Sequence, residues 1–435
     1  MRKALVRAWM AARARPLLGY RADLEKSQWL SADAVADLQL RKLRATLAHA
    51  STQVPYYREM FRTEGFDPAS VKSSDDLRRI PVLSRETLTT RFADLLADAA
   101  PAGRFVRSTG GSTGRPLRFA VDTHEMMTRS AHIHRGLGWL GWHPGDRVAY
   151  VWGSDIDTRE HKGWMGFARD AFMGVLWLDA FTMSRNRLDE YLDRLERFEP
   201  SVVIGYPSSL HLLAQRALET SRRPRLAGIE CSAEMLMPQV RADLKRAFDC
   251  PVLDRYGCRE AGVVAHECMD GSLHINAESV VVESHEGELL LTTLNNRAMP
   301  LVRYRNEDLA VLGERHCPCG RGLPLIEKLQ GRLSDIIRTP GGRLIHGEFF
   351  THLFYGVSHV SRFQVRQTRR DHLEIRLVAT DGFGPADQQT LERAILSHGD
   401  AAFRITWLRV DKIPSGQSGK YRFIIPAPPD SADDV

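Results

Sequence analysis

The sequence lacks several features that would place the protein in a specialised class. Its six cysteines all lie in the second half of the chain, too few for a disulfide scaffold in 435 residues, so a reducing cytoplasm is the expected location. No apolar stretch approaches the roughly 20 residues of a membrane-spanning helix, so we expect no integral membrane segment. Internal repeats are also lacking. With 43% hydrophobic and 26% charged residues, the composition is typical of an ordinary globular protein.

Acidic residues are missing before Asp23, whereas six cations precede it: Arg2, Lys3, Arg7, Arg13, Arg15 and Arg21. The net charge of +6 is therefore concentrated at one end, and we expect no nucleic-acid partner. Residues 1–21 also contain apolar side chains, which permits an amphipathic helix. Two interpretations remain open: a solvated helix packed on its own domain, which is the commoner case, or a peripheral contact with an anionic membrane or a partner.

The pattern along the chain predicts an α/β protein with three parts. Residues 1–100 are rich in helix formers, and residues 101–334 alternate short apolar runs with helical stretches, at 185–198, 208–220 and 238–248 among others. Within this part, 278–311 indicates a hairpin-rich β region. Residues 335–435 indicate a small α+β domain, with strands near 362–367, 372–378 and 405–410 and a helix at 385–397.

The run from Arg107 to Pro116 packs three glycines, four hydroxyls and two guanidiniums into ten residues. Glycines let backbone N–H groups approach an anion closely, and hydroxyls add donors, so the run suits a polyphosphate. It is not a Walker loop, because no Lys follows Gly114. A bland Gly/Ser surface loop has the same composition.

Further charged residues stand on expected loops. Glu260 follows a strand and a glycine turn, where a carboxylate could hold Mg2+ beside substrate phosphates. Lys420 lies on a glycine-flanked loop and could act as a mobile cation. Asp308 and Arg332 could hold a ribose or a phosphate. Each feature alone also fits a solvated surface residue.

Taken in order, these motifs resemble the adenylate-forming superfamily, whose members activate carboxylic acids with ATP. The sequence is most similar to the phenylacetate-CoA ligase branch, including relatives in capsule-biosynthesis clusters. The resemblance covers nearly the whole chain, from Val54 to Lys420. It implies a large N-terminal adenylate-forming domain with parallel or mixed sheets and a β-rich subdomain, followed by a small mobile C-terminal lid.

The resemblance assigns roles by position. The loop that holds the β- and γ-phosphates would comprise Thr109, Gly110, Gly111, Ser112, Thr113, Gly114 and Arg115. The adenine would be lined by Ser232, Ala233, Glu234, Tyr256 and Gly257. Glu260 would bind Mg2+, Asp308 the ribose hydroxyls, and Arg332 the ribose side of the nucleotide. Asp335 would be the hinge of the lid, and Lys420 would bridge the carboxylate and the α-phosphate.

Two positions depart from the superfamily pattern. Arg115 stands where Lys is usual, which keeps the charge but alters donor geometry. Glu307 stands where Gly usually precedes the ribose Asp, so we expect a negative φ at Glu307.

A metal site is also expected from cysteine and histidine spacing. Cys268 lies six residues before His274, and Cys317 and Cys319 follow with C-x-C spacing. Three thiolates and one imidazole suit tetrahedral zinc. Some relatives in this branch carry a structural zinc at such a cluster. His266 is the competing nitrogen ligand.

The resemblance implies that a carboxylic acid, with a mild preference for an aryl acid, is converted to acyl-AMP and then to a thioester, most simply of CoA. Alternatives are transfer to a carrier protein, an amine or a polysaccharide hydroxyl, or a non-catalytic scaffold. Aromatic residues between 130 and 235, notably Trp152 and the turn at Tyr206, are candidates for the acyl end, although such residues are more often core.

Overall fold

The computed structural model describes residues 1–99, 103–108, 117–152, 164–180, 183–332, 336–342, 344–346, 349–350, 353–354, 357, 359–414 and 422–427. The chain forms two compact units. The larger consists mainly of Met1–Asn306 and Val311–Lys328, and the smaller mainly of Leu329–Gly416 with Glu307–Ala310.

Ten α-helices are described in the larger unit: α1 (Arg2–Arg13), α2 (Arg15–Ser27), α3 (Ala32–Gln53), α4 (Pro55–Thr63), α5 (Arg85–Thr90), α6 (Thr123–Trp139), α7 (Trp164–Met173), α8 (Arg185–Phe198), α9 (Pro207–Glu219) and α10 (Pro238–Phe248). Helix α8 illustrates how the spacing of apolar residues in the sequence predicts a helix. Ser184 caps its first turn, and the buried residues Leu188, Tyr191, Leu192 and Leu195 recur at helical spacing. None of the described helices is both long and apolar enough to span a bilayer.

The strands of the first part of the chain are β1 (Phe105–Ser108), β2 (Arg118–Val121), β3 (Val148–Trp152), β4 (Val175–Asp179), β5 (Val202–Gly205), β6 (Gly228–Ser232), β7 (Val252–Cys258), β8 (Gly262–Glu267), β9 (Leu273–Ile275), β10 (Val280–His285), β11 (Glu288–Thr293), β12 (Tyr304–Gly313) and β13 (Leu325–Arg332). Strands β1 and β2 form an antiparallel pair.

The other eleven strands form one sheet in the order β10-β11-β12-β13-β9-β8-β7-β6-β5-β3-β4. Strands β3 to β7 pair in parallel, and β7, β8 and β9 continue the sheet in antiparallel fashion. Every residue of β5 is buried, as expected for a central parallel strand covered on both faces. The expected hairpin around Glu286 and Gly287 is present, and its strands belong to this same sheet.

The smaller unit contains β14 (Ile336–Arg338), β15 (Leu344–His346), β16 (Val360–Arg369), β17 (His372–Ala379), α11 (Pro385–Ala394), β18 (Arg404–Arg409) and β19 (Ile424–Ile425). Its four-stranded sheet has the order β18-β17-β16-β19. Phe363, Leu373, Ile375 and Leu391 belong to one buried cluster that packs the sheet against α11. The α/β class, with a separate C-terminal α+β region, is therefore confirmed.

A fully buried ion pair fixes α6 in the larger unit. Arg135 Nη1 donates to Glu278 Oε1 at 2.7 Å, and Arg135 Nη2 donates to Asn276 Oδ1 at 2.7 Å. Ser27 Oγ, at the end of α2, donates to the same Glu278 oxygen at 2.6 Å. Burial alone would raise the pKa of Glu278, but Arg135, His132 and these hydrogen bonds lower it to about 2. The pair thus ties α2 and α6 to the turn between β9 and β10.

Replacing Arg135 by Met would leave the Glu278 carboxylate buried without its counter-ion. We expect the free energy of unfolding to fall by about 3–5 kcal/mol, measured by urea denaturation at pH 7. The double variant Arg135→Met/Glu278→Met should recover most of the loss, because no charge then remains buried. Because the folded pKa of about 2 lies below the ordinary 4.5, the advantage of the parent is complete above pH 4.5 and is lost as the pH falls towards 2.

The matched control is Arg58→Met, which breaks the exposed Arg58–Asp98 pair and should change the denaturation midpoint little. A comparable loss in both single variants would contradict a special contribution of the buried pair.

Candidate active site

The carboxyl ends of β5, β6 and β7 bring together the segments predicted to surround the nucleotide. These strands are neighbours in parallel register, with Gly205 opposite Cys231 and Ser232 opposite Arg255. Residues that follow them therefore meet at one edge of the sheet, where open α/β sheets bind ligands. Ser232 ends β6, whereas Tyr256 and Gly257 lie near the end of β7.

Hydrogen bonds connect these segments. The Glu234 carboxylate accepts from the backbone N–H of Ser208 at 3.0 Å, at the start of α9. Ser232 Oγ donates to the carbonyl of Arg255 at 3.0 Å. Ala233 adopts a left-handed backbone with φ of 73°, which makes the sharp turn between them. All three residues of the predicted adenine segment thus lie at this edge.

Glycine is required at position 257. A Cβ there would lie 2.3 Å from the carbonyl oxygen of Gly262, on the paired strand β8. Beside it, the hydroxyl of Tyr256 accepts a hydrogen bond from Asn306 Nδ2 at 2.8 Å. Tyr256 is consequently fixed by the hydrogen bond from Asn306, and Gly257 by its close approach to β8.

The Glu260 carboxylate is buried, with 7% of the residue exposed. Tyr304 donates its hydroxyl proton to Glu260 Oε1 at 3.2 Å, and Arg85 Nη1 lies 3.8 Å from the same oxygen. A buried carboxylate with one hydrogen bond and one loose cation keeps lone pairs for another ligand. The site predicted for Mg2+ therefore has the right donor type.

The turn that carries Glu260 is held by α6. Arg129 donates to the carbonyls of Arg259 and Glu260, both at 2.7 Å, and its Nε also donates to the buried Glu125 at 2.6 Å. Arg259 Nη1 in turn donates to the carbonyl of Ser108 at 3.3 Å. Because Ser108 is the second residue of the run from Arg107 to Pro116, the turn of Glu260 and the beginning of that run lie close together.

Sequence reasoning missed Arg85, Arg129 and Tyr304. A short parallel bridge explains how Arg85 and Tyr304 meet: Leu83 N–H donates to the Arg303 carbonyl, and Arg305 N–H donates to the Leu83 carbonyl, both at 3.0 Å. No local period or motif encodes a contact across more than 200 residues. Nothing in the sequence signals these three residues.

The expectation of a negative φ at Glu307 is wrong. Its φ is 64°, in the left-handed region, and that of Arg303 is 52°. A side chain is tolerated in this region at a cost of about 1–2 kcal/mol, whereas glycine adopts it freely. The backbone before Asp308 therefore has a conformation that glycine would adopt without strain. Asp308 itself is buried, with 6% exposed.

Several predicted residues cannot be placed. Asp335, Lys420 and the loop from Thr109 to Arg115 lie outside the described residues, and Arg332 ends β13 with its side chain likewise outside them.

Three cysteines and one histidine form a compact cluster. The ligand atoms of Cys268, His274, Cys317 and Cys319 all lie within 4.8 Å of one another. Cys268 Sγ is 3.6 Å from Cys317 Sγ, and Cys319 Sγ is 3.3 Å from His274 Nε2. Burial lowers the pKa of His274 to about 4, so its imidazole is neutral at pH 7. The four residues fit a tetrahedral zinc ion.

His266 does not belong to this cluster, although it lies directly opposite His274 in the β8–β9 pair. Its Nε2 is instead 3.8 Å from Glu230 Oε2, and Arg255 Nε is 3.2 Å from Glu230 Oε1. The ring of Trp139 contacts both histidines edge-on, at centroid distances of 6.0 and 5.8 Å. His274 is therefore the nitrogen ligand that the geometry favours.

Two of the aromatic candidates meet at the edge of the sheet. The rings of Trp152, at the end of β3, and Tyr206, after β5, stack with centroids 4.2 Å apart. His132 points elsewhere, because its Nε2 hydrogen bonds with Ser279 Oγ at 2.6 Å. Ser208, two residues after Tyr206, donates its backbone N–H to Glu234, so the stacked pair lies near the adenine segment.

Comparison with known proteins agrees with this architecture. Residues 337–427 match the family described as the CapK C-terminal domain. A phenylacetate-coenzyme A ligase of Aromatoleum evansii is 26% identical over 344 residues, covering 74% of this chain and 76% of the relative. Protein CapK of Staphylococcus aureus is 22% identical over 403 residues, covering 89% and 88%.

Among solved structures, a 2-hydroxyisobutyryl-CoA ligase in its postadenylation state, in complex with 2-HIB-AMP, aligns with a TM-score of 0.75 at 19% identity. It covers 93% of this chain and 92% of the solved chain. The fold is thus shared over nearly the whole length of both proteins. The chain is a homologue of the phenylacetate-coenzyme A ligases and of CapK, has the fold of adenylate-forming ligases, and carries a CapK C-terminal domain.

Proposed function

We propose that the protein is an AMP-forming acid–thiol ligase. It activates a carboxylic acid with ATP and transfers the acyl group to a thiol, that of CoA in the simplest case. The observation that carries the proposal is the buried Glu260 carboxylate beside Tyr304 and Arg85, next to the carboxyl ends of β6 and β7. The likeness to phenylacetate-coenzyme A ligases over most of the chain supports the same chemistry.

In the first half-reaction, a carboxylate oxygen of the acid attacks the α-phosphorus of ATP. The bond between that phosphorus and the bridging oxygen breaks, and pyrophosphate leaves. Both reactants are anionic, so the site has to neutralise charge and hold them in line. We assign the β- and γ-phosphates to the loop Thr109–Arg115, the adenine to Ser232–Glu234 and Tyr256–Gly257, the ribose to Asp308 and Arg332, and the α-phosphate to Lys420.

Glu260 is the residue that would hold Mg2+. The ion would supply positive charge to the phosphates, as it does in other nucleotide sites. The carboxylate fits, since it is an oxygen donor whose orientation is fixed by the Tyr304 hydroxyl. Arg85 Nη1, 3.8 Å from the same carboxylate oxygen, places a positive charge beside it.

In the second half-reaction, the thiol sulfur attacks the acyl carbon, the bond to the AMP oxygen breaks, and the thiol proton is released. We assign this step to a rearranged state in which residues 335–435 turn about Asp335 and remove Lys420 from the site. The rest of the chain would keep its arrangement in this state. It comprises the helical part of the large domain, residues 1–100, and the ATP- and acid-binding core, residues 101–334. We assign contact with the acyl group to Trp152 and Tyr206, whose rings stack with centroids 4.2 Å apart.

The decisive experiment is acid-dependent exchange of pyrophosphate into ATP. A panel of acids that includes phenylacetate and 2-hydroxyisobutyrate should contain one that supports exchange by the parent protein. Lys420→Ala and Glu260→Gln should each reduce that exchange by about 100-fold or more, because the first removes a positive charge from the reacting phosphate and the second removes the carboxylate that would hold Mg2+.

The matched control is Lys412→Ala, which removes an exposed lysine eight residues earlier and should exchange like the parent. Undiminished exchange in Lys420→Ala would contradict the assignment, and no exchange with any acid would favour a non-catalytic scaffold. AMP release with CoA, holo-carrier protein and amines in parallel identifies the acceptor.

Tyr304→Phe tests the support of the metal ligand. We expect the Mg2+ concentration for half-maximal exchange to rise by about tenfold or more, because the carboxylate loses the hydrogen bond that orients it. At saturating Mg2+ the rate should return towards that of the parent. The control is Tyr191→Phe, whose hydroxyl donates to the Asp179 carbonyl and should not affect the Mg2+ requirement. An unchanged Mg2+ requirement in Tyr304→Phe would argue that Glu260 is not the ligand.

We also assign a structural zinc ion to Cys268, His274, Cys317 and Cys319. Four protein ligands leave no open position, which suits a structural rather than a catalytic ion. The ion would link the β8–β9 turn with the segment before β13.

Metal analysis tests this assignment on protein purified without added zinc. We expect about one equivalent of zinc in the parent, and far less in Cys317→Ser/Cys319→Ser, which removes half of the ligands. Cys250→Ser is the control, since Cys250 is outside the cluster. Less than half an equivalent in the parent, or full zinc in the double variant, would exclude the site.

A further inference from the structure

Six large apolar side chains are exposed on two helices, α1 and α7. We call this set the α1–α7 surface, and its members are Leu5 (54% exposed), Trp9 (45%), Trp164 (79%), Met165 (68%), Phe167 (75%) and Phe172 (36%). Single exposed apolar residues are common, but a group of this size marks an interaction site.

Helices α1 and α7 are far apart in the sequence but contact each other in the structure. Val6 and Met10, four residues apart, form the buried face of α1. Leu5 and Trp9 directly precede these two residues and lie on the adjacent face of the helix. The Trp9 ring meets the Phe172 ring edge-on, with centroids 6.3 Å apart. Arg2 donates to the carbonyls of Phe172 and Gly145, at 3.1 and 2.8 Å. The exposed side chains of the two helices therefore adjoin where Trp9 meets Phe172, and Arg2 anchors this junction to the larger unit.

Cations flank this surface. Residues 1–22 contain six basic and no acidic side chains. Lys3 forms an ion pair with Asp146, and Arg7 Nε donates to the Pro144 carbonyl at 3.0 Å, so both help to attach the helix. Arg13 and Arg15 are exposed at the end of α1 and the beginning of α2. Residues 1–22 therefore carry net positive charge next to the apolar side chains of α1.

Aromatic and aliphatic side chains beside arginines match the interface of an anionic lipid bilayer. Tryptophan and phenylalanine enter the boundary between headgroups and acyl chains, and arginines attract the anionic headgroups. We propose that the α1–α7 surface docks the protein peripherally on an anionic membrane. This proposal does not depend on the proposed ligase reaction.

Co-sedimentation of the full-length protein with vesicles tests the proposal. We expect binding to vesicles of phosphatidylcholine with phosphatidylglycerol, and at least tenfold weaker binding to phosphatidylcholine alone. Binding should weaken as salt is raised, because the Debye length falls from about 30 Å at 0.01 M to about 3 Å at 1 M.

Two double variants separate the contributions. Trp9→Ser/Phe167→Ser removes apolar contact, and Arg13→Gln/Arg15→Gln removes charge, and each should weaken binding at least tenfold. The controls are Val311→Ser, which removes an apolar side chain of similar exposure, and Arg41→Gln/Arg62→Gln, which removes the same charge from α3 and α4. Both controls should bind like the parent.

Equal binding to both vesicle types, or equal loss in variants and controls, would overturn the proposal. So would a dimer that Trp9→Ser/Phe167→Ser converts to monomers without a change in vesicle binding, since the surface would then join two copies. Pyrophosphate exchange measured without vesicles should be the same in the parent and in all four variants. A failure of docking is thereby distinguished from a failure of the proposed reaction.

Discussion

The candidate site depends on one guanidinium that binds main chain rather than ligand. Arg129 of α6 holds the carbonyls of Arg259 and Glu260, and it is itself oriented by the buried Glu125. Desolvation raises the pKa of Glu125, while the adjacent Arg129 opposes that shift. These hydrogen bonds thus transmit the position of α6 to the turn that carries Glu260. The hydrogen bonds from Arg259 to Ser108 and from Tyr304 to Glu260 fix the same turn from other segments.

Much of the fold follows from sequence patterns that act over a few residues. The bounds expected for α8 and α10, 185–198 and 238–248, are those in the structure, because buried residues recur at helical spacing within a single element. The hairpin at Glu286 and Gly287 was predictable because two apolar runs flank a short turn that contains glycine. Contacts such as Arg85 with Glu260 were not predictable, because they join elements far apart in sequence through a bridge of two backbone hydrogen bonds.

The two histidines on the paired strands β8 and β9 have different contacts, because their surroundings differ. His266 and His274 are opposite each other, and both contact the ring of Trp139. Sequence spacing left either one as the metal ligand, since residues 266 and 274 are both close to Cys268. The structure places thiols beside one imidazole and a buried carboxylate beside the other. The difference arises from β13 and the preceding loop, which bring Cys317 and Cys319 to His274 only.

Residue 307 reverses the usual ranking of amino acids in a strand. Along an extended strand, β-branched residues are favoured and glycine is disfavoured. Within β12, however, Glu307 has φ of 64°, so glycine and asparagine are compatible with the backbone there and valine or isoleucine are not. Replacement of Glu307 by glycine would therefore remove a charge and add backbone flexibility without strain. Most residues that the neighbouring strand positions accept would be strained at position 307. A substitution profile computed from strand statistics alone would rank its tolerated residues in the wrong order.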